Sequence, residues 1–170
     1  MRFRISLLPI VAAALVLALP ATALARTTRV VPFKSVAGIP LKLTPKEVRH
    51  RLGRPSHTIR VDGKIDEYDY HRLALSVQFD TLHHPIRADF VGVAVGFATP
   101  KIRYHTVHGI HMGSSKKAVR RAFGKRCHWD EGQCMMWKGH PGAIGSTSFG
   151  FDFFRGKVTE MDIQYVFNDL

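Results

Sequence analysis

Acidic side chains are scarce in this chain of 170 residues: 13 Asp and Glu stand against 25 Lys and Arg, a formal net charge of +12. From Lys101 through Arg126 there are eight Lys or Arg and no Asp or Glu. Such a balance favours anionic partners. Cysteine is limited to Cys127 and Cys134, and tryptophan to Trp129 and Trp137. No Gly-rich phosphate loop, nucleophile elbow or zinc-binding helix motif occurs, so no enzyme class is recognisable and no cofactor is expected. The longest apolar run, Ile5 to Leu19, is short for a membrane span.

What is present begins with that run. Arg2 and Arg4 precede it, and Ala23-Leu24-Ala25 places small residues before Arg26, the pattern of a secretory signal peptide over residues 1–25. No cysteine follows to take a lipid, so a secreted or extracytoplasmic protein without a transmembrane segment is expected. Removing Arg2 and Arg4 leaves a mature charge of +10. In an exported chain Cys127 and Cys134 are expected to oxidise to each other. The loop they close is short, so the bridge should contribute about 2 to 3 kcal/mol.

The central pattern is Thr44-Pro45-Lys46-Glu47-Val48-Arg49-His50-Arg51-Leu52-Gly53. Thr44 reads as an N-cap, Pro45 as the first helical residue, Glu47 as the capping-box partner and Gly53 as a left-handed terminator. A weaker copy runs from Ser115 to Gly124, offset by 71 residues, and the offset also pairs Gly38-Ile39 with Gly109-Ile110 and Leu41 with Met112. Val48 and Leu52 in the first helix, and Val119 and Phe123 in the second, are expected to face the core.

Alternation predicts strands at Thr58 to Asp62, around Tyr68 and Tyr70, at Leu75 to Phe79 and at Ile86 to Val95. The second half predicts Arg126 to Trp129, Cys134 to Lys138, a strand through Phe149, Phe151 and Phe153, and Val158 to Phe167. Asp62-Gly63 and Arg155-Gly156 are turn signals. The expected fold class is α+β: two tandem helix-plus-four-strand antiparallel repeats in one long curved sheet, helices on one face. The expected units are an extended lead-in at 26–37, a first repeat at 38–99, a linker at 100–108 and a second repeat at 109–170.

These features together resemble the β-lactamase inhibitory protein family, and more distantly the small lipoprotein of the outer-membrane barrel-assembly machinery. The Gly-Ile lead-in, the capped helix ending in Gly, the cysteine pair and Phe149-Gly150-Phe151 followed by Arg155-Gly156-Lys157-Val158 carry the resemblance. It implies a tandem repeat whose concave sheet surface grips another protein. In that family a loop after the second cysteine's strand carries an acid that imitates a substrate carboxylate. The matching loop here, Gly139 to Ser146, has none, so lactamase inhibition does not carry over.

Trp129, Trp137, Tyr68, Tyr70 and His140 are the candidate contacts for an extracytoplasmic protein partner, with core packing the alternative for the aromatics. Lys46, Arg49, Lys116, Lys117, Arg120 and Arg121 form a candidate basic helical face for an anionic wall polymer or membrane surface, or a merely solubilising one. Export and the lack of interleaved aromatic motifs weigh against nucleic acid. His105, His108 and His111, evenly spaced, could ligate a metal only on a helix, which Gly109 and the alternation of Ile102, Tyr104 and Thr106 oppose; exposed linker histidines are expected. Asp66, Glu67 and Asp69 read as a solvated hairpin end.

Overall fold

The structure is a computed structural model and describes residues 29–94, 103–130 and 132–167; the expected leader lies outside them. Both capped helices form where expected. In α1 (Pro45–Leu52) the Thr44 side chain accepts from the Glu47 N–H, and the Glu47 carboxylate accepts from the Thr44 N–H at 2.8 Å. In α2 (Lys116–Phe123) Ser115 accepts from the Ala118 N–H. Gly53 and Gly124 end the helices at φ 81°, ψ −157° and φ 53°, ψ −127°, not in the expected left-handed helical well but in a region only glycine enters without strain.

Eleven strands are formed among the described residues. A three-stranded sheet joins β1 (Arg29–Val31) to β2 (Ser35–Val36) and, in parallel, to β7 (His105–Thr106). The large antiparallel sheet contains β3 (His57–Val61), β4 (Lys64–Tyr70), β5 (Leu75–Asp80), β6 (Arg87–Ala94), β8 (His128–Asp130), β9 (Gln133–Lys138), β10 (Thr147–Phe154) and β11 (Lys157–Tyr165). Its order is β3-β4-β5-β6-β11-β10-β9-β8, so two meanders meet where β6 pairs β11. Asp62-Gly63 and Arg155-Gly156 close two-residue hairpins with both residues at positive φ, as a type I′ turn requires.

The extended lead-in and the linker both supply core residues. Val30 and Val36 are fully buried and Tyr104 is 1 % exposed, while His105, His108 and His111 are exposed as expected. Tyr104 donates to the Leu73 carbonyl at 2.8 Å, tying the middle of the chain beneath the first meander.

One apolar cluster holds the protein together. It takes Val30 and Val36 from the small sheet, Val48 from α1, Val119 and Phe123 from α2, and Val77, Val91, Phe149, Phe151 and Ile163 from the large sheet. Leu52 is half-buried against it. Phe123 packs on Phe149 and Phe151 with ring centroids 6.2 and 5.2 Å apart, and Phe33 meets Phe149 edge-on. Helices and small sheet therefore cover the same face of the large sheet, and the alternate residues of each strand project to the second face.

Candidate surface on the second sheet face

Directly opposed residues of an antiparallel ladder share a face, so the register gives the composition of the second face. One row runs Asp69, Ser76, Gly92, Asp162, Gly150, Met135 across β4, β5, β6, β11, β10 and β9. Beside it run Glu67, Gln78, Phe90, Gln164, Ser148, Trp137 and, over fewer strands, Ala94, Glu160, Asp152, Gln133. No Lys or Arg stands among these positions. A chain rich in cations thus collects carboxylates on one sheet face.

Two glycines shape the middle of that face. A Cβ at Gly150 would lie 2.5 Å from Asp162 Oδ2 and 2.8 Å from Met135 Sδ, and one at Gly92 would lie 2.6 Å from the Phe90 ring. The Asp162, Met135 and Phe90 side chains therefore lie down across bare backbone. Asp162 is 4 % exposed and its Oδ1 has no hydrogen-bond partner; Ser148, 1 % exposed, has an equally unpartnered Oγ.

Burial pushes the Asp162 carboxyl up to about 7, helped by Glu160 and Asp152 and opposed by a hydrogen bond with Gln164. Glu160 is raised by burial and then by Asp152; Asp152 is raised by burial against a hydrogen bond with Gln133. Glu67 is raised by burial and by Asp69 and Asp66, although it accepts a hydrogen bond from Ser76 Oγ. Asp89 is raised by burial and by Asp80 and Asp66. Low dielectric and like charges act in the same direction at each of these groups. The reading of Asp66, Glu67 and Asp69 as a solvated hairpin end is thereby corrected, since Asp69 is buried and Glu67 half-buried within the sheet.

The other candidate residues divide between faces. Tyr68 and Tyr70 belong to the core, 2 % and 4 % exposed, so they are not surface anchors. Tyr70 donates to the Gly53 carbonyl, and burial lifts its hydroxyl to about 12. Trp137 is half-exposed on the second face, opposite Ser148. Trp129 is half-buried on the helix side, with Lys116 Nζ 5.2 Å and the Arg120 guanidinium 4.9 Å from its ring centroid. It belongs with the basic helix, not with a separate aromatic patch. His140 is exposed in the loop that also carries Ile144, 64 % exposed.

Lys46 and Arg49 on α1, and Lys117, Arg120 and Arg121 on α2, are exposed; Lys116 is half-buried. Beside α1 a groove of about 890 Å³ is lined by Lys46, Arg49, His50 and Arg54 over Ile65 and Ile86. Cys127 and Cys134 form a disulfide with Cα atoms 5.3 Å apart. His105 and His111 form a backbone bridge, whereas His108 stands edge-on to Phe123, and no metal-holding group of three ligands occurs among the described residues. No helix among them is long and apolar enough to cross a membrane.

The β4 acids Glu67 and Asp69 were visible in the sequence but not their burial, and the acids of β10 and β11 were not singled out; their local signal is alternation with buried apolar residues, as in Met161-Asp162-Ile163. No family model, curated protein or solved structure matches this chain.

Proposed function

We propose that this chain is an exported, non-enzymatic binding module that holds another extracytoplasmic protein on the second face of its large sheet, and in doing so regulates that partner. The observation carrying this reading is the centre of that face, where buried polar atoms of Asp162 and Ser148 have no partner between half-exposed Trp137 and Phe90. Buried polar groups are ordinarily satisfied, and a partner's donors and acceptors would satisfy these once the side chains over them move aside. The tandem-repeat reading supports it. Lys42 N–H bonds Ala88 O and Ala88 N–H bonds Leu43 O, just as Gly113 N–H bonds Val158 O and Val158 N–H bonds Ser114 O. Each pairing ties the segment before a helix to the last strand of its meander.

The test is capture from the secreted and envelope fractions with residues 26–170, washed at low and at high salt. A discrete protein retained at high salt and lost with Trp137→Ala is the expected result, because screening weakens exposed charge pairs more than buried contacts. Capture unaffected by Trp137→Ala would refute the surface assignment.

A second reading is favoured by the basic groove beside α1 and the exposed cations of α2: an envelope-associated module holding an anionic polymer or membrane surface. Retention on envelope material that disappears with salt and with Arg120→Glu plus Arg121→Glu is its signature. Trp129→Ala does not separate the two readings, since that ring carries Lys116 and Arg120.

A further inference from the structure

The carboxylate strip on the second sheet face has a chemistry that selects its occupant. We propose that it receives an extended basic segment of the partner protein, with one Lys or Arg seated against Asp162 and a second, four residues away, against Glu67 and Asp69. This rests on the second face being the binding surface and adds what that surface recognises.

Charge complementarity is the first argument. Glu67, Asp69, Asp152, Glu160 and Asp162 share the face without a Lys or Arg among the residues in register with them, on a chain whose formal net charge is +12. The unpartnered atoms are the second. Asp162 Oδ1, Ser148 Oγ and Asp69 Oδ1 are buried with no hydrogen-bond partner. Two of these are carboxylate oxygens and call for donors, which an ammonium or guanidinium supplies without adding acceptors.

The third argument is shape. Phe90 and Met135 lie close over the glycines on either side of Asp162 and provide apolar surface for the methylenes of a long cationic side chain. A divalent ion is disfavoured, because no group of three or more potential ligands is gathered for one among the described residues. Spacing then sets the pattern. Asp69 and Asp162 occupy one row with β5 and β6 between their strands, three inter-strand steps or about 14 Å. An extended segment covers roughly 13 Å from residue i to i+4, and both side chains point the same way.

Raising the proton concentration should release the segment. The titratable groups facing Asp162 are Glu160 on β11 and Asp152 on β10; Glu67 and Asp69 share its face three strands away on β4, with His57 opposite Asp69 and His128 opposite Met135. Protonating Asp162 and the likewise raised Glu160, Asp152 and Glu67 removes the attraction.

The test uses a fluorescent extended nonapeptide with Lys at positions i and i+4, its Glu-for-Lys counterpart and calcium alone, each titrated into the full mature chain at low salt. At about pH 8 the lysine peptide should bind roughly tenfold or more tightly than the glutamate peptide, the size of one charge-assisted hydrogen bond. Asp162→Asn and, separately, Glu160→Gln should weaken it by a similar factor, as should lowering the pH to about 5.5, with thermal melting confirming that each variant is folded. Equal binding of both peptides, absence of lysine-peptide binding at about millimolar concentration, or indifference to both variants overturns the proposal. So does calcium binding that is lost in Asp162→Asn and displaces the peptide. If Trp137→Ala still abolishes capture of the natural partner while the lysine peptide fails, the basic-segment chemistry falls and the surface stands; if Trp137→Ala leaves capture intact, both fall.

Discussion

At the scale of the residue, Asp162 is an acid held where burial disfavours its charge. Its carboxyl titrates near 7 in the fold, against an ordinary value of 3.8. Between those values the folded state binds more protons than the unfolded one, so stability falls as pH rises from about 4 to about 7. The difference corresponds to roughly 4 kcal/mol as an upper figure. Glu67, Asp89, Asp152 and Glu160 are raised as well and act with the same sign. Urea denaturation should therefore show greater stability at about pH 5 than at about pH 8, and Asp162→Asn should recover stability chiefly at the higher pH. A wild-type protein equally stable at both would contradict the buried-acid geometry. Gly150 gives a steric counterpart. Gly150→Ala sets a methyl against Asp162 Oδ2 and Met135 Sδ and should cost about 1 to 3 kcal/mol in the same assay.

At the scale of the element, the helices are short and depend on caps and on a few apolar contacts. Ser115→Ala removes the side-chain acceptor for the Ala118 N–H and should cost about 1 kcal/mol. Thr44→Ala should cost at least as much, since Thr44 also donates through its hydroxyl to Glu47 at 2.8 Å. Both losses are measurable as shifts in a thermal melt. In the β8–β9 hairpin, replacing Cys127 and Cys134 by Ser should cost about 2 to 3 kcal/mol, and reduction of the wild type should reproduce it. Such elements were legible in the sequence because caps, turn dipeptides and short cysteine spacing act between residues close in the chain. Gly63 and Gly156 sit in the hairpin turns that their dipeptides announced.

At the scale of the whole molecule, the charge is sorted. Cations line α1, α2 and the groove beside α1, while carboxylates collect on the opposite side of the large sheet. Composition showed only the excess of one sign. Alternation predicted a buried and a wet face for individual strands, but it could not say which strands lie side by side. The β6–β11 pairing brings Gly92 against Asp162, and the β10–β11 pairing sets Asp162 against Gly150; neither contact has a local signal. The same limit explains the tyrosines. Tyr68 and Tyr70 point to the helix side of the sheet, where Tyr70 reaches the Gly53 carbonyl at the end of α1 and Tyr68 meets the Phe79 ring, and Trp129 lies beside Lys116 and Arg120 of α2. The sequence by itself determined the helices, their caps and stops, the hairpin turns and the α+β class, since these follow from short-range hydrogen bonding and periodicity. Tertiary structure alone decided the strand order, the burial of the lead-in and the assembly of the acidic strip, because strand pairing brings together residues that are distant in the chain.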